Sequence, residues 1–410
     1  MSVNQSILSA KKSALFEALF QTAQVQQVPL AFWRLPKSEE IHCIADLSGS
    51  TTRKIDLEEL PAGFAFSPFI NPDGQQTLFI KADIHYTIQD NQLSQSVLPG
   101  QDTLFNKQQA FQEELQLKLE QLHQAVPGRA GEIAVMAAES SPEDRDYFTD
   151  IVARGRRAIA KGNFQKVVLS RTRTVQLLEN YNPADTFYRL CQFYPQAFVS
   201  WVYIPGIGMW MGASPEILIS IDKQQFFRTV SLAGTQPYRA QIPVSRAVWT
   251  QKEIEEQALV CRYIVNCFKK IRLREYEEIG PKTVIAGNLM HLRTDFIVDM
   301  QATNFPQLGT VMLELLHPTS AVCGMPKEPA LEFIRTHERH QRQFYSGYLG
   351  PVNINQETHL FVNLRCMQIQ SGKAILYAGA GITSDSNPER EWAETEFKCQ
   401  TLLKVLEKAV

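Results

Sequence analysis

The chain lacks most of the features that would classify it at a glance. Its seven cysteines, Cys43, Cys191, Cys261, Cys267, Cys323, Cys366 and Cys399, are odd in number, scattered, and never spaced as CxxC. That excludes a cysteine zinc site and argues against a disulfide framework. Reduced, mostly buried thiols in a cytoplasmic protein are expected. No run reaches the roughly 18 apolar residues of a membrane-spanning helix. The first twenty residues lack the signal-peptide order of charge, apolar stretch and small-residue cleavage site. Net charge is only −2, with both signs interspersed, so neither a nucleic-acid nor a polybasic membrane footprint is present. GxSxG, a Walker P-loop and imidazole or thiolate ligands at zinc spacing are all missing. What remains is a 410-residue chain, 44% apolar and 20% charged. Those values are ordinary for a globular protein, and the length suffices for two or three domains or one large one.

The pattern of elements predicts α+β. Residues 6–24 read as a helix, and Leu30–Leu35 and Ile41–Leu47 as strands. Phe64–Phe69 and Thr77–Tyr86 continue the β pattern around an NPDG turn at 71–74. Residues 88–104 are polar and predict a loop. Residues 105–125 predict a long polar helix, broken by VPGRAGE. At Ser141 the character changes: Ser141-Pro142-Glu143 starts an amphipathic helix that Gly162 closes. Strands are expected at Phe164–Arg171, Ala197–Ile204, Met209–Ile221 and Phe226–Thr235, and a long helix at Trp249–Ile271. Strands and helices do not alternate strictly and hairpin-like pairs recur. This favours a mostly antiparallel sheet over a doubly wound parallel one.

The stretch AILYAGAGITSDSNPEREWAETEFK (374–398) is the most informative. It reads as a short buried strand, a turn at Gly379-Ala380-Gly381 with N–H groups free to face an anion, and a helix capped by Asn387 with Pro388 at its first position. That helix carries Glu391, Glu394 and Lys398 on one face. A second acidic pair with the same three-residue spacing, Glu253 and Glu256, lies on the helix after Trp249. Each spacing alone describes a solvated helix face. Two helices each offering a carboxylate pair could also hold a hard cation such as Mg²⁺, together with waters and an anionic substrate group. Lys166 sits inside an apolar strand; alternation favours its solvent face, and the other option is a cleft. Glu216 follows a Gly212-Ala213-Ser214-Pro215 turn. Arg365 in LFVNLRCM suits a bidentate carboxylate contact.

Together these segments resemble the chorismate-utilising enzymes, the family of isochorismate, salicylate, anthranilate and aminodeoxychorismate synthases. The matching pieces occur in order: FQKVVLSR (164–171), GASPEIL (212–218), LAGT (232–235), the Glu253/Glu256 helix, HPTSAVCGMPKEPALEFI (317–334), YSGYLGPV (345–352), FVNLR (361–365) and AGAGITSDSNPEREWAETEFK (378–398). The resemblance implies one unit of two large packed antiparallel sheets with outer helices. Residues 1–130 form its N-terminal structural part and 131–410 its catalytic core. It further implies Mg²⁺ held by Glu256 and Glu394, with Glu253 and Glu391 in support. Arg365, Gly379 and Gly381 would hold the enolpyruvyl carboxylate of chorismate. Gly234, Thr235 and His317 would line the ring, with Lys398 also at the substrate.

Within that resemblance, Lys166 matches the lysine that activates water in isochorismate and salicylate synthases. Ala233 stands where aminodeoxychorismate synthases place a nucleophilic lysine, and Ala321 matches isochorismate synthases. The implied activity is isochorismate synthesis: Lys166 as base, with a lowered pKa, and Glu216 as acid, with a raised one. Salicylate synthesis and a non-catalytic chorismate binder are the alternatives. No amidotransferase partner and a monomer are expected. Gln257, Gln341 and Asn363 depart from the family pattern.

Overall fold

The computed structural model describes residues 2–49, 51–96, 104–124, 135, 140–238, 246–286 and 289–407. The expected VPGRAGE helix break lies outside them. Two antiparallel sheets dominate. The ten-stranded sheet runs, edge to edge, Gly324–Met325, Lys166–Gln176, Lys373–Ile382, Cys366–Gln370, Gly208–Ser214, Phe198–Ile204, Leu30–Arg34, Ile41–Ala45, Ile84–Gln89 and Gln92–Ser96. The nine-stranded sheet runs Glu277–Ala286, Leu289–Asp299, Phe226–Pro237, Ile217–Ile221, Thr358–Val362, Tyr348–Val352, Gly63–Ser67, Thr77–Lys81 and Thr51–Arg53. The N-terminal third therefore supplies strands to both sheets.

Where the sheets face each other, the core is aromatic: Trp33, Phe64, Phe66, Phe198, Trp210 and Phe361 are all buried. Phe198 and Phe361, one from each sheet, stack with centroids 4.1 Å apart. Such a pair contributes about 1 kcal/mol beyond the area it buries. Helices cover the outer faces. Pro388–Glu407 packs on the ten-stranded sheet through Cys399, Leu402, Leu403 and Leu406. Gln251–Lys270 packs on the nine-stranded sheet through Val260, Ile264 and Phe268.

Thr77–Tyr86, expected as one strand, and the two strands expected on either side of the Gly212-Ala213-Ser214-Pro215 turn each form a pair that crosses between sheets. Thr77–Tyr86 divides into Thr77–Lys81 and Ile84–Gln89, and Met209–Ile221 into Gly208–Ser214 and Ile217–Ile221, one member in each sheet every time. The link in the second case is only Pro215-Glu216. A strand also appears in the expected 88–104 loop: Gln92–Ser96 pairs with Ile84–Gln89 across Asp90-Asn91, both at positive φ (50° and 64°). That is the geometry of a two-residue hairpin turn. The helix Pro183–Phe193 has no counterpart among the expected elements, although Asn182 caps it and Pro183 occupies its first turn.

Candidate active site

The short crossover carrying Glu216 brings a carboxylic acid into the space between the sheets. Ser214 Oγ donates to the Val362 carbonyl at 2.5 Å, and Val362 N donates to the Glu216 carbonyl at 3.0 Å. These bonds fix the crossover against the strand Thr358–Val362. Glu216 is 8% exposed. Burial pushes its pKa up to about 7, against the pull of the Lys166, Lys398 and Arg365 cations. Lys166, Glu216, Gly234, Thr235, Glu256, Arg365, Gly379, Gly381, Glu394 and Lys398 all line one cleft, with a volume of about 110 Å³.

Lys166 begins its strand and is 4% exposed, so it faces the cleft and not the solvent that alternation favours. Gly381 explains how it fits. A Cβ at Gly381 would stand 3.1 Å from Lys166 Cε. This corrects the expected glycine turn: Gly379 and Gly381 lie within the strand Lys373–Ile382, opposite Ser170 and Val168. Their missing side chains make room, at Gly381 for Lys166 and at Gly379 for the Tyr345 hydroxyl and the Leu169 carbonyl. The chain turns later, where Ser386 Oγ accepts from Thr383 N.

Arg365 has a backbone φ of +49°, uncommon for a residue with a side chain. Burial lowers its pKa. Among the described residues its guanidinium has no hydrogen-bond or ion-pair partner, and it lines the cleft. A half-buried guanidinium facing a cleft with its donors free is a receptor for a carboxylate.

On the opposite wall, Gly234 adopts φ +68° at a bulge between Ala233 and Thr235. A Cβ there would meet Glu253 Cβ at 3.0 Å and its carbonyl at 3.2 Å. Gln257 braces this bulge: its Oε1 accepts from Ala233 N at 3.0 Å and its Nε2 donates to Thr294 Oγ1 at 3.0 Å. Asn363 is likewise structural, donating to the Phe344 carbonyl, and Gln341 is exposed.

The histidine of the cleft is His291, which sequence reasoning missed, and not His317. His291 pairs with Thr235 across the bulge. Its Nδ1 lies 3.1 Å from the Gly234 carbonyl, which can only accept, and 3.3 Å from Thr235 Oγ1, an arrangement that suits a proton on Nδ1. Its buried Nε2 has no partner. Burial, helped by the Arg365 cation, lowers its pKa to about 4, so the ring is a neutral acceptor. Only the strand register, a non-local feature, identifies it. His317 instead ends the helix Leu308–Leu316 and packs edge-on against Tyr348, with Nε2 3.2 Å from the Pro68 carbonyl. It lines a different cavity.

The four acidic positions divide. Glu256 and Glu394 line the cleft from two helices. Glu391 is buried beside them and paired with Lys252 Nζ at 3.1 Å; Glu256 lies 3.9 Å from the same ammonium. Burial raises the pKa of Glu391, and the neighbouring Glu394 adds to the rise. Burial acts the same way on Glu394, but Lys398 Nζ at 2.6 Å outweighs it and holds that carboxyl below its ordinary range. Glu253 turns away and accepts from Thr250 N at 2.7 Å in a capping box. Among the described residues no group of three or more His, Cys, Asp or Glu is placed to hold a metal ion. The donors that reach the cleft are carboxylate oxygens from two helices, which is the donor type Mg²⁺ takes when waters and substrate complete its shell.

A family model described as "Chorismate binding enzyme" matches residues 63–407. The chain belongs to this family. Isochorismate synthase EntC of Escherichia coli is 28% identical over 282 residues, which span 68% of this chain and 71% of that one. Anthranilate synthase component 1 of Streptomyces coelicolor is 30% identical over 268 residues, 64% of this chain and 52% of its own. In three dimensions, the menaquinone-specific isochorismate synthase MenF of Escherichia coli shares the fold: TM-score 0.72 at 22% identity, covering 93% of this chain and 89% of that one. Among the described residues no helix is long and apolar enough to cross a membrane.

Proposed function

We propose that the chain is a chorismate-utilising enzyme that converts chorismate to isochorismate. The observation that carries this reading is the convergence of Lys166 and Glu216 on one cleft beside an arginine without a partner among the described residues. Lys166 is the base: it takes a proton from water as the water oxygen bonds to ring carbon 2. Both ring double bonds shift, C1=C2 to C1=C6 and C5=C6 to C4=C5, the bond from carbon 4 to its hydroxyl breaks, and protonated Glu216 gives that hydroxyl its proton. One water enters and one leaves, so the net reaction is an isomerisation. A pKa of about 7 leaves a substantial fraction of Glu216 protonated at neutral pH, as a general acid requires.

Arg365 takes the enolpyruvyl carboxylate, and the neutral His291 Nε2 accepts from a ring hydroxyl. Mg²⁺ held by Glu256 and Glu394 would neutralise the ring carboxylate. Lys398 bridges Glu394 and the Gly379 carbonyl at the edge of this site.

The test is to incubate purified protein with chorismate and Mg²⁺, with an EDTA control, and to separate the products by chromatography. Isochorismate formed only with metal supports the reading. Salicylate with pyruvate would move the chain to the lyase-coupled branch of the family. Anthranilate formed on adding ammonium salts would replace water with ammonia as the nucleophile. No turnover at all would leave a binder.

A further inference from the structure

A second cavity, about 480 Å³ in volume, lies outside the cleft and is the larger of the two. That size suits a small-molecule ligand. One wall is a single face of the helix Lys327–His337, which presents Lys327, Leu331 and Arg335 at four-residue intervals. The order is cation, apolar, cation, with the charged positions about 12 Å apart along the axis. Long flexible side chains can shorten that span. Phe69, Leu313 and Tyr348 supply an apolar floor.

The charges of this cavity are unevenly satisfied. Lys54 and Glu314 neutralise each other at 2.7 Å. Lys327 Nζ donates to a neutral acceptor, the His317 carbonyl, at 2.9 Å. Arg335 has no hydrogen bond or ion pair among the described residues. Asp73 and Glu328 also line the cavity; both are solvent-exposed. Two cations without a carboxylate partner among the described residues, flanking an apolar residue over an apolar floor, complement an anion charged at both ends with an apolar body between.

The cavity also touches the supports of the cleft. The Arg342 guanidinium lies over the Phe69 ring at 4.3 Å. Arg342 donates to the Val168 carbonyl at 2.6 Å and the Val322 carbonyl at 2.8 Å. Val168 and Val322 both line the cleft. His317, at the start of the segment that ends in Val322, lines the second cavity. A ligand that moves Phe69 or His317 thereby reaches the cleft wall formed by Val168 and Val322, neighbours where Gly324–Met325 pairs with Lys166–Gln176, through their backbone carbonyls.

We propose that the second cavity is a binding site for an apolar-bodied dicarboxylate, held between Lys327 and Arg335 and coupled to the cleft through Phe69 and Arg342. The site does not depend on the reaction proposed above. Its test is calorimetric titration of the full chain with terephthalate, a rigid aromatic dicarboxylate. Saturable binding is expected, weakened at least about tenfold by Arg335→Glu, whose exposed position leaves folding and unliganded turnover intact. Leu331→Trp, which fills the middle of the cavity, should weaken it comparably, and Arg335→Lys should largely retain it. Bound terephthalate should change the KM for chorismate in the parent chain and not in Arg335→Glu. Absence of saturable binding overturns the proposal. So does binding that both cavity variants leave intact and Arg365→Ala abolishes, because the probe would then occupy the cleft. Binding at the second site with unchanged kinetics would overturn the coupling.

Discussion

Replacing Glu216 with glutamine separates burial from catalysis. The folded carboxyl has a pKa of about 7 against an ordinary 4.5, because burial penalises its charged form. For an acid raised in the folded state, the folded chain binds more protons than the unfolded chain between these two values. Stability attributable to this group is therefore intact below pH 4.5 and declines as pH rises towards 7. The integrated penalty is RT ln[(1 + 10^(pH−4.5))/(1 + 10^(pH−7))]. It comes to roughly 1 kcal/mol at pH 5 and roughly 3 kcal/mol at pH 8.

Glutamine keeps the shape and cannot ionise. Glu216→Gln should therefore gain roughly 2 kcal/mol more relative stability at pH 8 than at pH 5. Urea unfolding of both proteins at the two pH values measures this directly. The same variant should lose turnover by roughly 10²- to 10⁴-fold, the usual contribution of a general acid, and the parent's kcat should fall as pH rises through about 7. A stability difference that does not change with pH would mean that Glu216 is not a buried, protonated acid. A variant with parent-like turnover would remove it from the chemistry even if the stability result held.

Lys166→Ala should fold, since it removes a buried polar group without leaving another unpaired, and should lose roughly 10²- to 10⁴-fold in kcat with KM little changed; product chromatography under saturating chorismate reads this. Arg365→Ala should instead raise KM about 10- to 100-fold, the loss expected for a charged hydrogen-bonding group on a carboxylate; a drop in kcat alone would contradict its role. Gly381→Ala meets only the flexible end of Lys166 at 3.1 Å, so it should fold and lose about tenfold in kcat through misplacement of the base. Gly379→Ala meets the Leu169 carbonyl at 2.9 Å, which cannot step aside, and a thermal melt should show it markedly destabilised.

The contrast between those two glycines shows which parts of this protein are legible from its residues. Features set by neighbours in sequence can be read: Ser141 caps its helix with a side-chain bond from Asp144 N, and Pro142 opens the first turn. The α+β class and the antiparallel pairing follow from hairpin-like repetition. AGAG has no such local resolution. Glycines that turn a chain and glycines that admit a side chain from the neighbouring strand look alike until Ser170 and Val168 are set opposite them. The same gap explains the histidines. His317 stands inside a distinctive motif and His291 in none, yet it is His291 that the register with Thr235 brings into the cleft. Alternation misjudges Lys166 for a related reason. Period-two reasoning assumes one wet face, and here the second sheet, reached through Pro215-Glu216, closes over the face that carries the lysine. The crossover that hides Lys166 from sequence reasoning is thus the same element that delivers its acidic partner, so the burial that raises the Glu216 pKa and the convergence of acid and base have a single structural cause.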